Sequence, residues 1–313
     1  MVRDACTTIV TMLLNGIFAA ITTPFDADGR LYLKKLEHNV DRYTGSPISG
    51  LVVLGSTGEA VMLNGAEQRE LFRTAIAAAA PQKVMIAGCG HESVQETLEF
   101  CEYVAALGYH VALVRTPHYY RAQMTPAAML NYFRTVADRS PLPVLLYSFP
   151  QCTGYDLPVE VVAELAEHRN ILGIKESSGD LAKVERMVQR TSHIEREGRT
   201  TDGFQTVVGS GHKMHALLNA GAVGGILAFA ACAPTACYEI YAAFNDHDPK
   251  LAAEKQQRIA AACIRIVSEL GIAGVKYASD LNGFYGGNPR LPLLPLTAAE
   301  RHEIESLMAK LKS

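Results

Sequence analysis

Two apolar runs in the sequence end on side chains that can do covalent or acid–base chemistry. Lys175 ends the run Ile-Leu-Gly-Ile-Lys, and Tyr147 ends the run Val-Leu-Leu-Tyr. Burial disfavours the charged form of a lysine, and its neutral amine is a nucleophile. A tyrosine phenol can move protons to and from a substrate oxygen. The alternatives are a lysine that extends to solvent and a tyrosine that only packs.

A third candidate is the pentapeptide Gly55-Ser56-Thr57-Gly58-Glu59. Two hydroxyls between glycines, with backbone N–H groups free to point outward, can bind a small carboxylate or phosphate. The same residues also suit an ordinary turn, and they lack the lysine of a P-loop and the acidic partner of a dinucleotide fingerprint. His212 and His215 have no Asp, Glu or Cys nearby to complete a ligand set, so we expect no metal.

The elements that must position these side chains alternate regularly along the chain. Short apolar runs predict strands at residues 16–23, 50–54, 83–88, 110–115, 143–147, 171–175, 205–209 and 223–228. Helical periodicity predicts helices at 33–43, 66–80, 94–107, 126–137, 158–167, 181–196 and 213–219, and another helix after Pro234. Eight buried strands that alternate with helices predict an α/β fold, a (β/α)8 TIM barrel, whose active site lies at the carboxyl ends of the strands.

Further helices follow the last strand. The pattern predicts helices at 251–270 and 298–311, with a Gly/Pro-rich stretch at 283–295 between them. Four helix starts carry capping signals: Asn64 with Glu67, Ser93 with Glu96, Thr125 before Pro126, and Thr297 with Glu300. We therefore predict a catalytic barrel in residues 1–234 and a C-terminal helical region in residues 235–313 packed on it.

Composition excludes several classes of protein. The chain has 313 residues, 49% of them hydrophobic, and its 29 basic and 32 acidic residues give a net charge of −3, which argues against nucleic-acid and polybasic membrane surfaces. The uncharged stretch 216–238 is long enough to cross a bilayer, but glycines and Pro234 divide it. The odd number of scattered cysteines predicts free thiols: Cys6, Cys89, Cys101, Cys152, Cys232, Cys237 and Cys263. With no convincing leader at the start, we expect a cytoplasmic protein, with a mitochondrial one as the alternative.

The candidate residues lie in motifs that resemble a known family, the pyruvate-dependent class I aldolases that include dihydrodipicolinate synthase and N-acetylneuraminate lyase. The resemblance runs from about Gly16 to the C-terminus. The four motifs occur in the family's order: Gly55-Ser56-Thr57-Gly58-Glu59, Thr116-Pro117-His118-Tyr119-Tyr120, Leu146-Tyr147-Ser148-Phe149-Pro150 and Gly173-Ile174-Lys175-Glu176.

The resemblance implies a role for each matching residue. Lys175 would form a Schiff base with pyruvate, without any metal or other cofactor, and Tyr147 would move protons. Gly55, Ser56 and Thr57 would hold the carboxylate, and the backbone carbonyl of Ile226 would face the bound pyruvate. Tyr119 would reach the site of a neighbouring subunit and complete a proton relay through Ser56, in a homotetramer built as a dimer of dimers.

The resemblance also bears on the substrate. Dihydrodipicolinate synthases usually carry an arginine where this chain has Cys152. Three segments look more like 4-hydroxy-2-oxoglutarate aldolase, which yields pyruvate and glyoxylate. They are Tyr-Tyr-Arg at 119–121, Tyr147-Ser148, and Gly-Phe-Tyr-Gly-Gly at 283–287. The second carboxylate of 4-hydroxy-2-oxoglutarate then needs another cation, for which Arg115 and Arg121 are candidates.

We therefore predict a Schiff-base lyase that cleaves a short 4-hydroxy-2-oxo acid, such as 4-hydroxy-2-oxoglutarate, to pyruvate and an aldehyde. The alternatives within the family are dihydrodipicolinate synthase, which condenses pyruvate with aspartate semialdehyde, and a 2-keto-3-deoxy sugar-acid aldolase. An alternative from another class is a non-catalytic ligand-binding barrel, since a fold does not determine a function.

Overall fold

The computed structural model of the chain describes residues 14–194 and 203–311. The strands are β1 (Gly16–Ala20), β2 (Gly50–Val53), β3 (Val84–Gly88), β4 (Val111–Arg115), β5 (Val144–Ser148), β6 (Ile171–Glu176), β7 (Gln205–Val208) and β8 (Gly224–Leu227). They pair in parallel and in chain order, and β8 pairs with β1 to close the barrel. The predicted TIM barrel is confirmed, and each predicted strand overlaps an observed one.

Helices follow every strand. They are α1 (Leu33–Thr44), α2 (Gly65–Ala78), α3 (Val94–Leu107), α4 (Pro126–Arg139), α5 (Pro150–Thr153), α6 (Val159–Ala166), α7 (Leu181–Thr191), α8 (Met214–Asn219), α9 (Pro234–Asn245), α10 (Pro249–Cys263), α11 (Gly271–Leu281) and α12 (Ala298–Ala309). The predicted helix at 181–196 ends at Thr191, and its last two positions lie outside the described residues.

The capping signals are largely confirmed. Asn64 and Thr297 begin α2 and α12 with complete capping boxes, and the Thr125 side chain accepts a hydrogen bond from the Ala128 N–H. At α3 only half of the predicted box forms: Ser93 accepts from the Glu96 N–H, while the Glu96 carboxylate lies 3.4 Å from Nδ1 of His91. The nearby imidazole thus competes with the helix end for this carboxylate.

Two hydrophobic cores follow from the alternation of side chains along the strands. The outer core lies between the sheet and the helices. The inner core fills the barrel with Leu14, Phe18, Ala20, Val52, Ile86, Val111, Leu113, Leu145, Tyr147, Leu172, Val207 and Ile226. The barrel is therefore packed shut below the ends of the strands, and a site can open only at their carboxyl ends.

An irregularity in β6 determines which way Lys175 points. Ile171 pairs with Val144, but Gly173 pairs with Leu145, so β6 contains one extra residue, Leu172, relative to β5. A one-residue shift reverses the faces of all later side chains. After the shift, Lys175 pairs with Tyr147, which belongs to the inner core.

The C-terminal helices differ in part from the prediction. The predicted helix at 251–270 is present as α10 and a π-helical turn, Ile264–Glu269. Helix α11 was not predicted, because Gly271 and Gly274 are typical of a helix end. In the structure Gly271 has a φ of +63°, which starts a new helix, and a Cβ at Gly274 would lie 2.4 Å from the Ile266 carbonyl oxygen. The division at residue 234 stays a prediction.

The structure bears on two expectations from composition. Within the described residues, no helix is long and apolar enough to cross a membrane. Six cysteines carry free thiols, all of them buried except Cys152, which is exposed; Cys6 lies outside the described residues.

Candidate active site

Lys175 and Tyr147 face each other at the carboxyl ends of β6 and β5. The two residues are paired in the sheet register, and Nζ of Lys175 lies 4.2 Å from the centre of the Tyr147 ring. The Lys175 side chain is not extended to solvent, since the residue is only 4% exposed. The alternative of a solvated lysine at the strand end is therefore wrong.

The surroundings of Lys175 favour its neutral amine. Burial lowers the pKa of Lys175 to about 7, and the nearby Cys152 thiol acts in the opposite direction. Its neighbour Glu176 does not neutralise it, because that carboxylate lies 3.4 Å from the Lys183 ammonium. Among the described residues no carboxylate lies within ion-pair distance of Lys175. A substantial fraction of the amine is thus unprotonated at neutral pH.

Tyr147 is held by hydroxyl groups from other strands. Its phenol oxygen lies 3.2 Å from Oγ of Ser56, in the turn after β2. Burial raises the pKa of Tyr147, and hydrogen bonding to Ser56 and Ser177 acts in the opposite direction. The phenol therefore stays protonated at neutral pH and can donate to or accept from a substrate oxygen. Ser177 was missed, although its place two residues after Lys175 at a strand end was a usable signal.

The Gly-Ser-Thr-Gly segment forms a tight 3₁₀ turn, Ser56–Gly58, between β2 and α2. Two residues that flank it, Leu54 and Glu59, have φ angles of +58° and +55°. Such left-handed conformations cost energy for any residue other than glycine and persist only where the surroundings enforce them. The Thr23 hydroxyl, which donates to the Gly58 carbonyl at 2.6 Å, contributes to holding the turn.

The C-terminal region supplies the other support of this turn. Glu59 is buried, and its Oε1 lies 2.6 Å from Nζ of Lys276 in α11. Its second oxygen accepts a hydrogen bond from the Arg290 N–H at 2.8 Å. The turn that carries Ser56 and Thr57 is therefore fastened to the C-terminal region by a buried ion pair.

A cavity of about 270 Å³ opens at this end of the barrel. Its lining comes from the ends of β2 to β5: Leu54, Gly55, Ser56, Ala60, Val61, Gly88, Gly90, Leu113, Arg115, His118, Tyr147, Phe149, Cys152 and Thr153. Its size suits a short acid. Gly55 and Ser56 line the cavity, while Thr57 is buried and does not line it, and Ile226 lies in the inner core on β8.

Arg115, the one of the two candidate cations that lines the cavity, is already paired. Nη1 of Arg115 lies 2.8 Å from the Glu92 carboxylate and 2.9 Å from Nδ1 of His118. The same carboxylate accepts the backbone N–H groups of His118 and Tyr119. Glu92 therefore neutralises Arg115 and fixes the loop after β4.

Tyr119 is not brought to Ser56 within one chain. It lies in the loop after β4, is 77% exposed, and has its ring edge-on to Tyr120 with 5.2 Å between the centroids.

In the part of the chain that the structure describes, no group of three or more His, Cys, Asp or Glu side chains could hold a metal.

Comparison with known proteins identifies the family to which the chain belongs. Residues 13–311 match the sequence model of the Dihydrodipicolinate synthetase family. The 4-hydroxy-tetrahydrodipicolinate synthase of Exiguobacterium sp. is 31% identical over 95% of this chain and 97% of its own length. A chloride-inhibited dihydrodipicolinate synthase from Acinetobacter baumannii, solved with pyruvate, is 28% identical and superposes with a TM-score of 0.88. The match covers 96% of this chain and 99% of that chain. A monomeric dihydrodipicolinate synthase variant is 27% identical and superposes with a TM-score of 0.87. That match covers 95% of this chain and 96% of the variant. The chain therefore belongs to the dihydrodipicolinate synthetase family and is a pyruvate-dependent class I lyase of that family.

Proposed function

We propose that Lys175 forms a Schiff base with the ketone of a short 2-oxo acid. The observation that carries this proposal is the buried Lys175 amine, which lies 4.2 Å from the Tyr147 ring and has a pKa lowered to about 7. The neutral amine attacks the ketone carbon, and a proton supplied through the Tyr147 phenol lets the former ketone oxygen leave as water, which gives a protonated imine. That imine withdraws electrons from the adjacent carbon, so the chemistry requires no metal or other cofactor.

In the cleavage direction, the bond between C3 and C4 of the substrate breaks. The 4-hydroxyl loses its proton to become an aldehyde, and the bonding electrons move to form an enamine on Lys175. C3 then takes up a proton, and water hydrolyses the imine to release pyruvate and the free amine. The protonated Tyr147 phenol relays this proton: its oxygen accepts it while its own proton passes to Ser56, 3.2 Å away, and on to solvent. The reverse transfer supplies the proton to C3.

We assign the carboxylate next to the ketone to the turn after β2. Gly55, Ser56 and Thr57 offer hydroxyls and backbone N–H groups at the end of the strand. The backbone carbonyl of Ile226 would face the pyruvate from β8, two strands beyond β6 in the barrel. Both assignments are supported by the family resemblance and by the position of the residues at one end of the barrel.

The substrate that the cavity favours is 4-hydroxy-2-oxoglutarate. Cys152 lines the cavity at the position where synthases of this family usually carry an arginine, so that clamp for the carboxylate of aspartate semialdehyde is missing. A second candidate is the condensation of pyruvate with aspartate semialdehyde, which is favoured by the name of the Exiguobacterium relative.

The experiment compares these two reactions on one preparation. Pyruvate release from 4-hydroxy-2-oxoglutarate is coupled to lactate dehydrogenase, and condensation is followed with pyruvate and aspartate semialdehyde, each with Lys175→Met as the blank. We expect release at about 1 s⁻¹ or faster, in the range of natural enzyme–substrate pairs. Fast condensation with negligible release would instead establish the synthase. Failure of both, together with failure of borohydride to trap pyruvate, would support a non-catalytic barrel.

We also propose that the working form is a homotetramer in which Tyr119 completes the site of a neighbouring subunit. The 77% exposure of Tyr119 within one chain supports an intermolecular partner. Sedimentation should show a tetramer, and Tyr119→Phe should lower the turnover number without dissociating it. A fully active monomer would contradict this assembly.

A further inference from the structure

Arg121 packs on α5, the short helix whose Cys152 and Thr153 line the cavity, and its charge has no partner among the described residues. It starts a 3₁₀ turn, Arg121–Gln123, in the loop after β4. It is exposed, and among the described residues its guanidinium has neither an ion pair nor a hydrogen bond. Arg115, the other cation of this region, is neutralised by Glu92 at 2.8 Å. Arg121 is therefore the cation that a second acidic group on the substrate would meet unopposed.

The position of the guanidinium follows from its contact with Gly154. A Cβ built on Gly154 would lie 2.5 Å from Cζ and Nη2 of Arg121 and 2.9 Å from Nε, so the guanidinium lies directly over this glycine. Gly154 ends α5, and its φ of +65° independently favours glycine. Helix α5 also carries Cys152 and Thr153, which line the cavity. The guanidinium is thus packed on the short helix that forms one wall of the site.

We propose that Arg121 binds the distal carboxylate of the substrate, the one far from the 2-oxo group. This inference rests on the proposed Schiff base at Lys175. With the ketone carbon bound to Lys175 and the first carboxylate at the turn after β2, the remaining end of the chain points to the cavity mouth. Arg121, in the loop after β4, supplies a planar guanidinium with two donors at this mouth. It takes the place of the arginine that is missing at Cys152. Arg121 is a specificity residue for dicarboxylates.

The test uses imine trapping, which requires no knowledge of the natural aldehyde. 2-Oxoglutarate carries a distal carboxylate, and 2-oxobutanoate has the same ketone and first carboxylate without it. The half-saturating concentration for borohydride trapping is measured for both acids on wild-type protein, Arg121→Gln and Arg121→Lys. For Arg121→Gln we expect the 2-oxoglutarate value to rise about ten-fold or more, as for loss of a charge-assisted hydrogen bond. The half-saturating concentration for 2-oxobutanoate should stay unchanged. For 2-oxoglutarate, the value of Arg121→Lys should lie between those of the wild-type protein and Arg121→Gln.

A matched control removes the same charge elsewhere. Arg190 is exposed in the last turn of α7, and because the helices run back against the strands this turn lies at the opposite end of the barrel. Arg190→Gln should leave both trapping curves unchanged. Equal curves for wild-type protein and Arg121→Gln with 2-oxoglutarate would overturn the role of Arg121 while leaving the Schiff base intact. Failure of the wild-type protein to trap either acid would overturn the Schiff base itself, and this inference with it.

Discussion

Two buried lysines, one at the barrel mouth and one in the C-terminal region, face different groups. Lys276 in α11 is 0% exposed, and its Nζ lies 2.6 Å from a Glu59 carboxylate oxygen and 2.9 Å from the Asn288 carbonyl oxygen. Lys175 is almost as deeply buried, but its Nζ faces the Tyr147 ring. Burial lowers the pKa of both, and Glu59 opposes the lowering only for Lys276. A counter-charge, rather than the depth of burial, distinguishes Lys276 from Lys175, the proposed nucleophile.

The ion pair between Lys276 and Glu59 links the C-terminal region to the barrel mouth. A buried ion pair contributes little net stability, but removing one partner leaves the other charge buried and unpaired. Lys276 and Glu59 together fix the left-handed residue next to the Ser56 turn. One lysine thus holds the turn after β2 in shape, while the other offers the amine for the proposed Schiff base.

The largest expected effect is on activity, from Lys175→Met. Turnover should fall to the level of the buffer blank, because no other nucleophile takes the place of this amine. The free energy of unfolding should change little or increase, since the variant no longer buries an unpaired amine. Coupled pyruvate release and urea unfolding measure the two quantities. Near-normal turnover would show that Lys175 is not the nucleophile.

Tyr147→Phe separates the proton shuttle from the nucleophile. The turnover number should drop by about 10²- to 10⁴-fold, the usual contribution of general acid–base catalysis. Lys175 remains, so pyruvate should still be trapped, though more slowly. Tyr103→Phe is the matched control, because its hydroxyl contacts the Arg69 carbonyl in the helical layer, outside the cavity. Full activity of Tyr147→Phe would leave the phenol with a packing role only.

Lys276→Met should act on stability. The free energy of unfolding should fall by about 3–5 kcal/mol, the cost of an uncompensated buried charge. Adding Glu59→Gln should restore part of the loss, because the pair is then removed together. Urea titrations of both single variants and the double variant measure the coupling. Additive losses would mean that the two side chains do not stabilise each other.

The pH dependence of trapping gives the smallest but most specific effect. The reactive form of Lys175 is the neutral amine, so with its pKa lowered to about 7 the trapping rate should rise through pH 7 and level off above pH 8. The pKa of Lys175 is lower in the folded protein than in the unfolded chain, so between the two values the unfolded chain binds more protons. The contribution of Lys175 to the free energy of unfolding therefore rises with pH above about 7. A trapping rate that keeps rising to pH 10 would indicate an ordinary lysine.

The repeating part of the fold could be predicted from sequence, and the non-local contacts could not. Strand ends such as Lys175 and Tyr147 were predictable because buried strands alternate with helices. The extra residue Leu172 in β6, which turns Lys175 inward, depends on pairing with β5 and leaves no local signal. The ion pair between Glu59 and Lys276 joins segments far apart in the chain, and α11 was hidden by its two glycines.

Lys175, the buried lysine whose amine faces the Tyr147 ring at the barrel mouth, is proposed to be the nucleophile. The most direct measurement is borohydride reduction of the protein with pyruvate at neutral pH, followed by peptide mass mapping. We expect one reduced pyruvate adduct per chain, on Lys175, with Lys276 unmodified and no adduct in Lys175→Met. An adduct on another lysine, or an equal yield in Lys175→Met, would contradict it.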